Sequence, residues 1–214
     1  MTVPNREADE PQVPAGSDPV AVGEDLSVTV RQGLPDDLRF LLAQYPRGIW
    51  RRHVNIRGMA TMWLQRHAMF RDLGSLLTET IEGYREGRIA AYDFAQEFVP
   101  RLQFFLSELE GHHGVEDNYY FPLFARAEPR LKRGFEILDN DHHLIHETLE
   151  QNAKAASAFV QSLKQKGDAR RFAAEAYADQ NERLVAMLAR HLDDEEDLII
   201  PLILDHGDRK LGLF

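Results

Sequence analysis

The sequence predicts an all-α protein, an antiparallel up-down four-helix bundle preceded by an N-terminal extension. Three observations carry this. From about residue 49 to residue 214, apolar residues recur at alternating steps of three and four, the period of a helix with one buried face. Breaks in the pattern at residues 87–89, 122–129 and 167–168 leave four long segments. Each segment's apolar stripe also passes through a histidine, so polar side chains stand where the core belongs.

Residues 1–34 read as a disordered acidic, Pro-rich leader. Over residues 1–25, Glu7, Asp9, Glu10, Asp18, Glu24 and Asp25 stand against Arg6 alone, and such a stretch buries too little apolar surface to offset its ordering entropy. Residues 26–31 are expected to extend along the surface. Residues 35–48 form a short helix opened by Pro35-Asp36-Asp37, with proline and acids placed as a helix start favours, and ended near Pro46.

Residues 49–214 are the bundle. The first stripe runs Ile56, Ala60, Trp63, His67, Phe70, Gly74, Leu77, Ile81, Tyr84, and the second Phe98, Leu102, Phe105, Leu109, His112, Glu116. The third is Leu138, His142, Ile145, Leu149, Ala156, Phe159, Leu163, passing Asn152, and the fourth Leu184, Leu188, His191, Glu195, Leu198. Pro100 marks a kink or a late start in the second helix, since it removes a backbone donor. Gly111 and Gly114 weaken the same helix and predict local distortion there.

Composition narrows the function. With 214 residues there is one domain with a tail and ample length for a core. Zero Cys excludes disulfides, thiolate ligands and thiol catalysis, and fits a cytoplasmic protein. No apolar run is long enough to cross a bilayer, and no secretory signal pattern opens the chain. A net charge of −10 argues against a nucleic-acid partner. The basic cluster Arg47, Arg51, Arg52 and Arg57 reads as a solvated helix start.

One motif occurs twice. His112-His113-Gly114-Val115-Glu116-Asp117, followed by Phe121-Pro122-Leu123-Phe124, returns as His191-Leu192-Asp193-Asp194-Glu195-Glu196, followed by Ile200-Pro201-Leu202-Ile203. A four-residue step stacks imidazole and carboxylate on one helix face, a two-toothed grip for a metal. The hairpin legs match. From His67 to its turn and back to His112 they are about 29 and 32 Å, and those joining His142 to His191 agree within about 2 Å. Antiparallel packing then puts His67 opposite His112 with Glu116, and His142 opposite His191 with Glu195, giving a six-ligand cluster about a pseudo-twofold axis.

His146, one turn after His142, breaks the symmetry, because the matching position of the first hairpin is Arg71. One half can then offer His142, His146 and His191, the other only His67 and His112, with Glu116 and Glu195 as bridges. His146 also reads as an orienting or surface residue. His113 and His143 turn about 100° from their neighbours and read as outer or solvated. His53 lies about 21 Å along the helix from His67 and cannot join it. His206 reads as inert. Asp117 and Glu196 read as solvated acids able to orient an imidazole. Trp63 and Phe70 pack the core and would wall a dry pocket over the open metal. A ferritin-like reading needs Glu three residues before His on two helices; Glu110 and His113 satisfy it, but Leu188 stands before His191.

These residues resemble the hemerythrin and HHE cation-binding family over about residues 50–205. The likeness rests on His67, His112 with Glu116, Asp141-His142 with His146, and His191 with Glu195. The resemblance implies a four-helix bundle holding two non-haem irons bridged by two carboxylates and an oxo or hydroxo group, with O2 bound end-on at the five-coordinate iron in the oxygen carriers. It implies that His142, His146 and His191 hold the saturated iron and His67 with His112 the open one. Respiratory carriers place an Asp five residues after the last His, whereas Glu195 follows His191 at four; this spacing is similar to that of bacterial HHE proteins of diverse function. The resemblance thus implies binding of O2 or a related diatomic such as NO, as carrier or sensor. The alternatives are an enzyme acting on peroxide or nitric oxide and an iron-handling protein. The ligand types leave manganese and zinc open beside iron, and no protein partner is indicated.

Overall fold

The computed structural model describes residues 26–165 and 167–213. The first twenty-five residues of the expected leader lie outside this range. Four long helices, α1 (Met59–Arg85), α2 (Ala91–Val115), α3 (Lys132–Ser162) and α4 (Asp168–His206), form an antiparallel bundle, with no strand among the described residues. α1 packs on α2 and α4, and α3 runs along α4 and meets α2, closing the ring.

The helix ends follow local chemistry. α1 starts after Gly58, whose φ of 66° is costly for any residue with a Cβ. Here a Cβ would stand 2.1 Å from Asp208 Oδ2, the oxygen that accepts the Met59 backbone N–H at 3.1 Å. α2 begins at Ala91 and runs through Pro100, so the proline does not delay its start. The distortion expected around Gly111 and Gly114 lies just beyond them. A π-helical turn, Glu116–Tyr120, follows α2 and leads into a further helical segment, Phe121–Ala127. The chain therefore stays helical through Pro122, and the break expected from 122 falls at Glu128.

Two other expectations are corrected. Residues 26–34 are not a free leader, for Val28, Arg31 and Leu34 are buried against the bundle. Their apolar side chains and the Arg31 ion pairs supply what the acidic stretch before them lacks. The single helix expected over 35–48 is three short turns, Asp36–Leu38, Phe40–Gln44 and Arg47–Trp50, because Pro46 has no N–H to continue the middle one.

The core is split into two apolar layers. One holds Trp63, Phe121, Phe124, Leu138, Leu198 and Ile203 with Leu34, Leu38 and Leu41. The other holds Phe70, Phe105, Leu109, Ile145, Leu188 and Leu192. His67 falls between Trp63 and Phe70, His142 between Leu138 and Ile145, and Glu195 between Leu192 and Leu198. A polar sheet of imidazoles and carboxylates thus cuts the hydrophobic core.

Candidate metal centre

Periodicity explains which side chains reach this layer. Each residue advances a helix by about 100°, so Glu116 stands about 40° past His112 and about 60° short of His113, between the two. From α2, His112 turns toward α1 and His113 toward α3, while Glu116 projects between them. In α4 the same step aligns Glu195 with His191, but Leu192 occupies the position equivalent to His113.

Two groups of donor atoms result. His67, His112, Glu116 and Glu195 bring ligating atoms within 4.8 Å of one another, and so do His113, His142 and His191. The carboxylates connect the groups. Glu116 Oε1 is 3.1 Å from His112 Nε2 and its Oε2 is 3.6 Å from His142 Nε2. Glu195 Oε1 is 3.3 Å from His67 Nε2 and its Oε2 is 3.1 Å from His191 Nε2. His142 Nε2 and His191 Nε2 are 3.1 Å apart.

An outer ring of acids orients the imidazoles. His67 Nδ1 lies 3.1 Å from Glu196 Oε1, His142 Nδ1 2.6 Å from Asp117 Oδ1, and His191 Nδ1 3.2 Å from Asp141 Oδ2. A proton on each Nδ1, donated outward, leaves Nε2 directed at the centre as a ligand atom. Asp117 and Glu196 are the matching acids of the repeated motif, and each serves the histidine of the opposite hairpin. Arg71 and Arg47 donate to Glu196 at 2.6 and 3.0 Å, so Arg47, exposed at the start of the short helix Arg47–Trp50, also braces an outer acid. Trp63 Nε1 donates to Glu195 Oε1 at 2.6 Å.

Charge is distributed unevenly. Burial, with the nearby Glu195 charge, pushes Glu116 well above the usual carboxylate range. Burial alone would raise Glu195 too, but adjoining His67 and His191 carry it well below that range. Burial opposes the charge on His191, yet Asp141 and Glu195 raise it to about 9, and Glu195 and Glu196 likewise raise His67. Burial dominates at His112, which falls to about 3, and at His113, which falls well below its ordinary value. Without a metal, protons take its place at some of these groups.

The residues fit a metal pair. His67 Nε2, His112 Nε2, both nitrogens of His113, both oxygens of Glu116 and Glu195 Oε2 are buried without a hydrogen-bond partner. Buried polar atoms left unpaired are costly, and a cation at each group would satisfy the carboxylate oxygens and one nitrogen of each imidazole, leaving the second nitrogen of His113 unpaired. The donors are nitrogen and oxygen alone, a set suited to iron, manganese or zinc.

Of the expected ligands, His67, His112, Glu116, His142, His191 and Glu195 converge, whereas His146 enters neither group. Its half-buried ring stands edge-on to His113, centroids 5.4 Å apart. The third place beside His142 and His191 is taken by His113, which sequence reasoning assigned to the outside. His53 instead accepts the Asn55 backbone N–H at 3.2 Å, and His143 is exposed. A cleft of about 480 Å³ between α1 and α2 reaches His112 and Glu116, walled by Met62, Trp63, Met69, Val115 and Tyr120. Trp63 thus lines a pocket as expected, while Phe70 is fully buried behind His112, ring centroids 5.0 Å apart.

No curated protein and no solved structure matches the chain. A family model does, described as the hemerythrin HHE cation binding domain, over residues 58–203. That span runs from the glycine before α1 to near the end of α4 and contains every residue of the two donor groups, and the chain belongs to the hemerythrin HHE cation-binding family.

Proposed function

We propose that this protein holds two non-haem irons and binds O2 or a related diatomic at one of them, as a carrier or sensor. The supporting observation is the asymmetry of two donor groups that share Glu116 and Glu195. His113, His142 and His191 would fill one metal position, and His67 with His112 would leave the other short of one ligand. When bound, an iron pair would supply one electron from each metal, two in all, toward a ligand such as O2. The chain's own part is to orient the imidazoles through Glu196, Asp117 and Asp141, to shield the centre with its two apolar layers, and to admit a ligand along the α1–α2 cleft. Among the described residues no helix is long and apolar enough to cross a membrane. A cytoplasmic location is part of this proposal, and the cysteine-free composition is in keeping with it.

The cleft that reaches His112 and Glu116 would equally admit a substrate for turnover, and the second reading is an enzyme consuming peroxide or nitric oxide at the same position. Turnover separates the two: steady loss of peroxide or nitric oxide supports the enzyme, and a stoichiometric spectral change supports the binder. The primary test is metal analysis with spectra of the reduced protein before and after air. About two irons per chain, with near-ultraviolet bands of an oxygen-bridged ferric pair, are expected. A colourless protein holding stoichiometric zinc after iron-replete expression would overturn the proposal.

A further inference from the structure

Arg31 precedes the bundle by almost thirty residues, yet its side chain is buried within it. Val28 and Leu34, both buried, anchor the segment on either side. The guanidinium takes Asp141 in a two-pronged grip, Nη1 to Oδ1 at 2.7 Å and Nη2 to Oδ2. Its Nε donates to Asp194 Oδ2 at 2.7 Å, and Nη1 also donates to the Leu26 carbonyl at 2.8 Å. Arg190 closes the arrangement, donating to Asp194 Oδ1 at 2.6 Å and to the Gln32 carbonyl at 2.8 Å.

We infer that Arg31 is a positioning residue for the three-imidazole metal position, acting on His191 through Asp141. The inference rests on the metal-pair reading above. Asp141 Oδ2 is at once in the Arg31 grip and 3.2 Å from His191 Nδ1. A fork fixed at both carboxylate oxygens sets the plane of the Asp141 carboxylate, and that plane sets the direction of the His191 ring. Nε2 of that ring then faces Glu195 Oε2 and His142 Nε2.

The other outer acids are held differently. Glu196 behind His67 is gripped by Arg47 and Arg71, and Asp117 behind His142 has no arginine among the described residues. Among the described residues Asp141 is the one outer acid held from the segment before residue 35, which ties residues 26–34 to one metal position. Loss of the grip therefore weakens the His113–His142–His191 position and spares the His67–His112 position.

The test compares the full-length wild type with Arg31→Ala, Arg31→Lys and the surface control Arg133→Ala, each loaded with zinc and challenged with a chelator. For Arg31→Ala, one metal per chain is expected to leave about ten- to a hundred-fold faster while the second keeps its wild-type rate. Arg31→Lys, which keeps the charge and loses the fork, is expected to fall between, and decides the matter should the alanine variant fail to fold. Equal acceleration of both metals in Arg31→Lys, or none, would overturn the inference. Imidazole nitrogen NMR of the metal-free proteins gives a readout independent of loading. The His191 Nδ1–H signal hydrogen-bonded to Asp141 is expected in wild type and shifted in both variants. An unshifted signal would refute the positioning role even if the metal pair itself were confirmed. A wild type holding no metal while its His191 signal responds to Arg31 would instead refute the metal reading.

Discussion

The imidazole of His113 lies flat against that of His142, with ring centroids 3.9 Å apart and planes 12° from parallel. Burial keeps both rings toward the neutral form, His113 strongly so, and neutral imidazoles are ligands where imidazolium ions are not. His113→Ala is therefore expected to lower the metal content from about two toward one per chain. His146→Ala, which removes a half-buried ring outside both groups, is expected to leave it near two. Elemental analysis of the purified variants checks this, and the reverse order would assign the third imidazole to His146.

Glu116 and Glu195 both span the centre but differ in charge, so their variants are expected to diverge without metal. Either Glu116→Ala or Glu195→Ala removes a shared bridge and is expected to cost both metals. In the metal-free protein Glu116→Ala is expected to be nearly neutral or stabilising, because it deletes a buried carboxyl held toward protonation with both oxygens unpaired. Glu195→Ala strands the Trp63 N–H and the raised His67 and His191, and is expected to cost about 3–5 kcal/mol. Denaturant melts of the chelated variants measure the contrast.

The metal-free protein is expected to be most stable near pH 6.5. His191 rises from 6.5 to about 9 on folding, so its contribution is complete below 6.5 and is lost as pH climbs through 9. His112 falls from 6.5 to about 3, so its contribution is present above 6.5 and is lost as pH drops toward 3. Glu116, shifted upward, adds to the alkaline loss. Metal holds the imidazoles deprotonated, so loaded protein is expected to show a much shallower decline between pH 6.5 and 9. Thermal melts at pH 5, 6.5 and 9 with and without metal decide it.

Gly134 shows how closely α3 and α4 approach beside the centre. A Cβ there would meet Leu198 Cδ2 at 2.9 Å and Cδ1 at 3.0 Å, and Leu198 is itself fully packed. Gly134→Ala is expected to destabilise the protein by about 1–3 kcal/mol through overpacking, despite alanine's better helix propensity. Calorimetry of the variant provides the check.

The bundle and most of the centre were legible because both rest on periodicity. The stripes through His67, His112, His142 and His191 named the facing side chains, and equal hairpin legs set them at one level. His113 was missed for a reason of angle. A rotation of about 100° from a ligand was read as pointing away, but two neighbours a turn-fraction apart can each face the interior when the helix borders two others. The signal was present in the repeat, where His113 in one copy stands against Leu192 in the other. Arg31 left no such trace. Its partners Asp141 and Asp194 lie over a hundred residues away, and no local pattern marks a single arginine at the end of a short turn as buried. The π-helical turn was likewise only hinted at by the glycines before it.

The apolar layers above and below the polar sheet have a bearing on traffic. Phe121, Phe124 and Ile203 seal one side and Phe70, Leu109 and Leu192 the other, leaving the seam beside Met62 and Gly111 as the wetted approach among the described residues. A metal or small ligand would reach His112 and Glu116 sideways through that seam, while half-exposed Asp117 gives protons a second path to His142. Access along this seam depends on how α1 and α2 sit against each other, and not on the distant bundle ends.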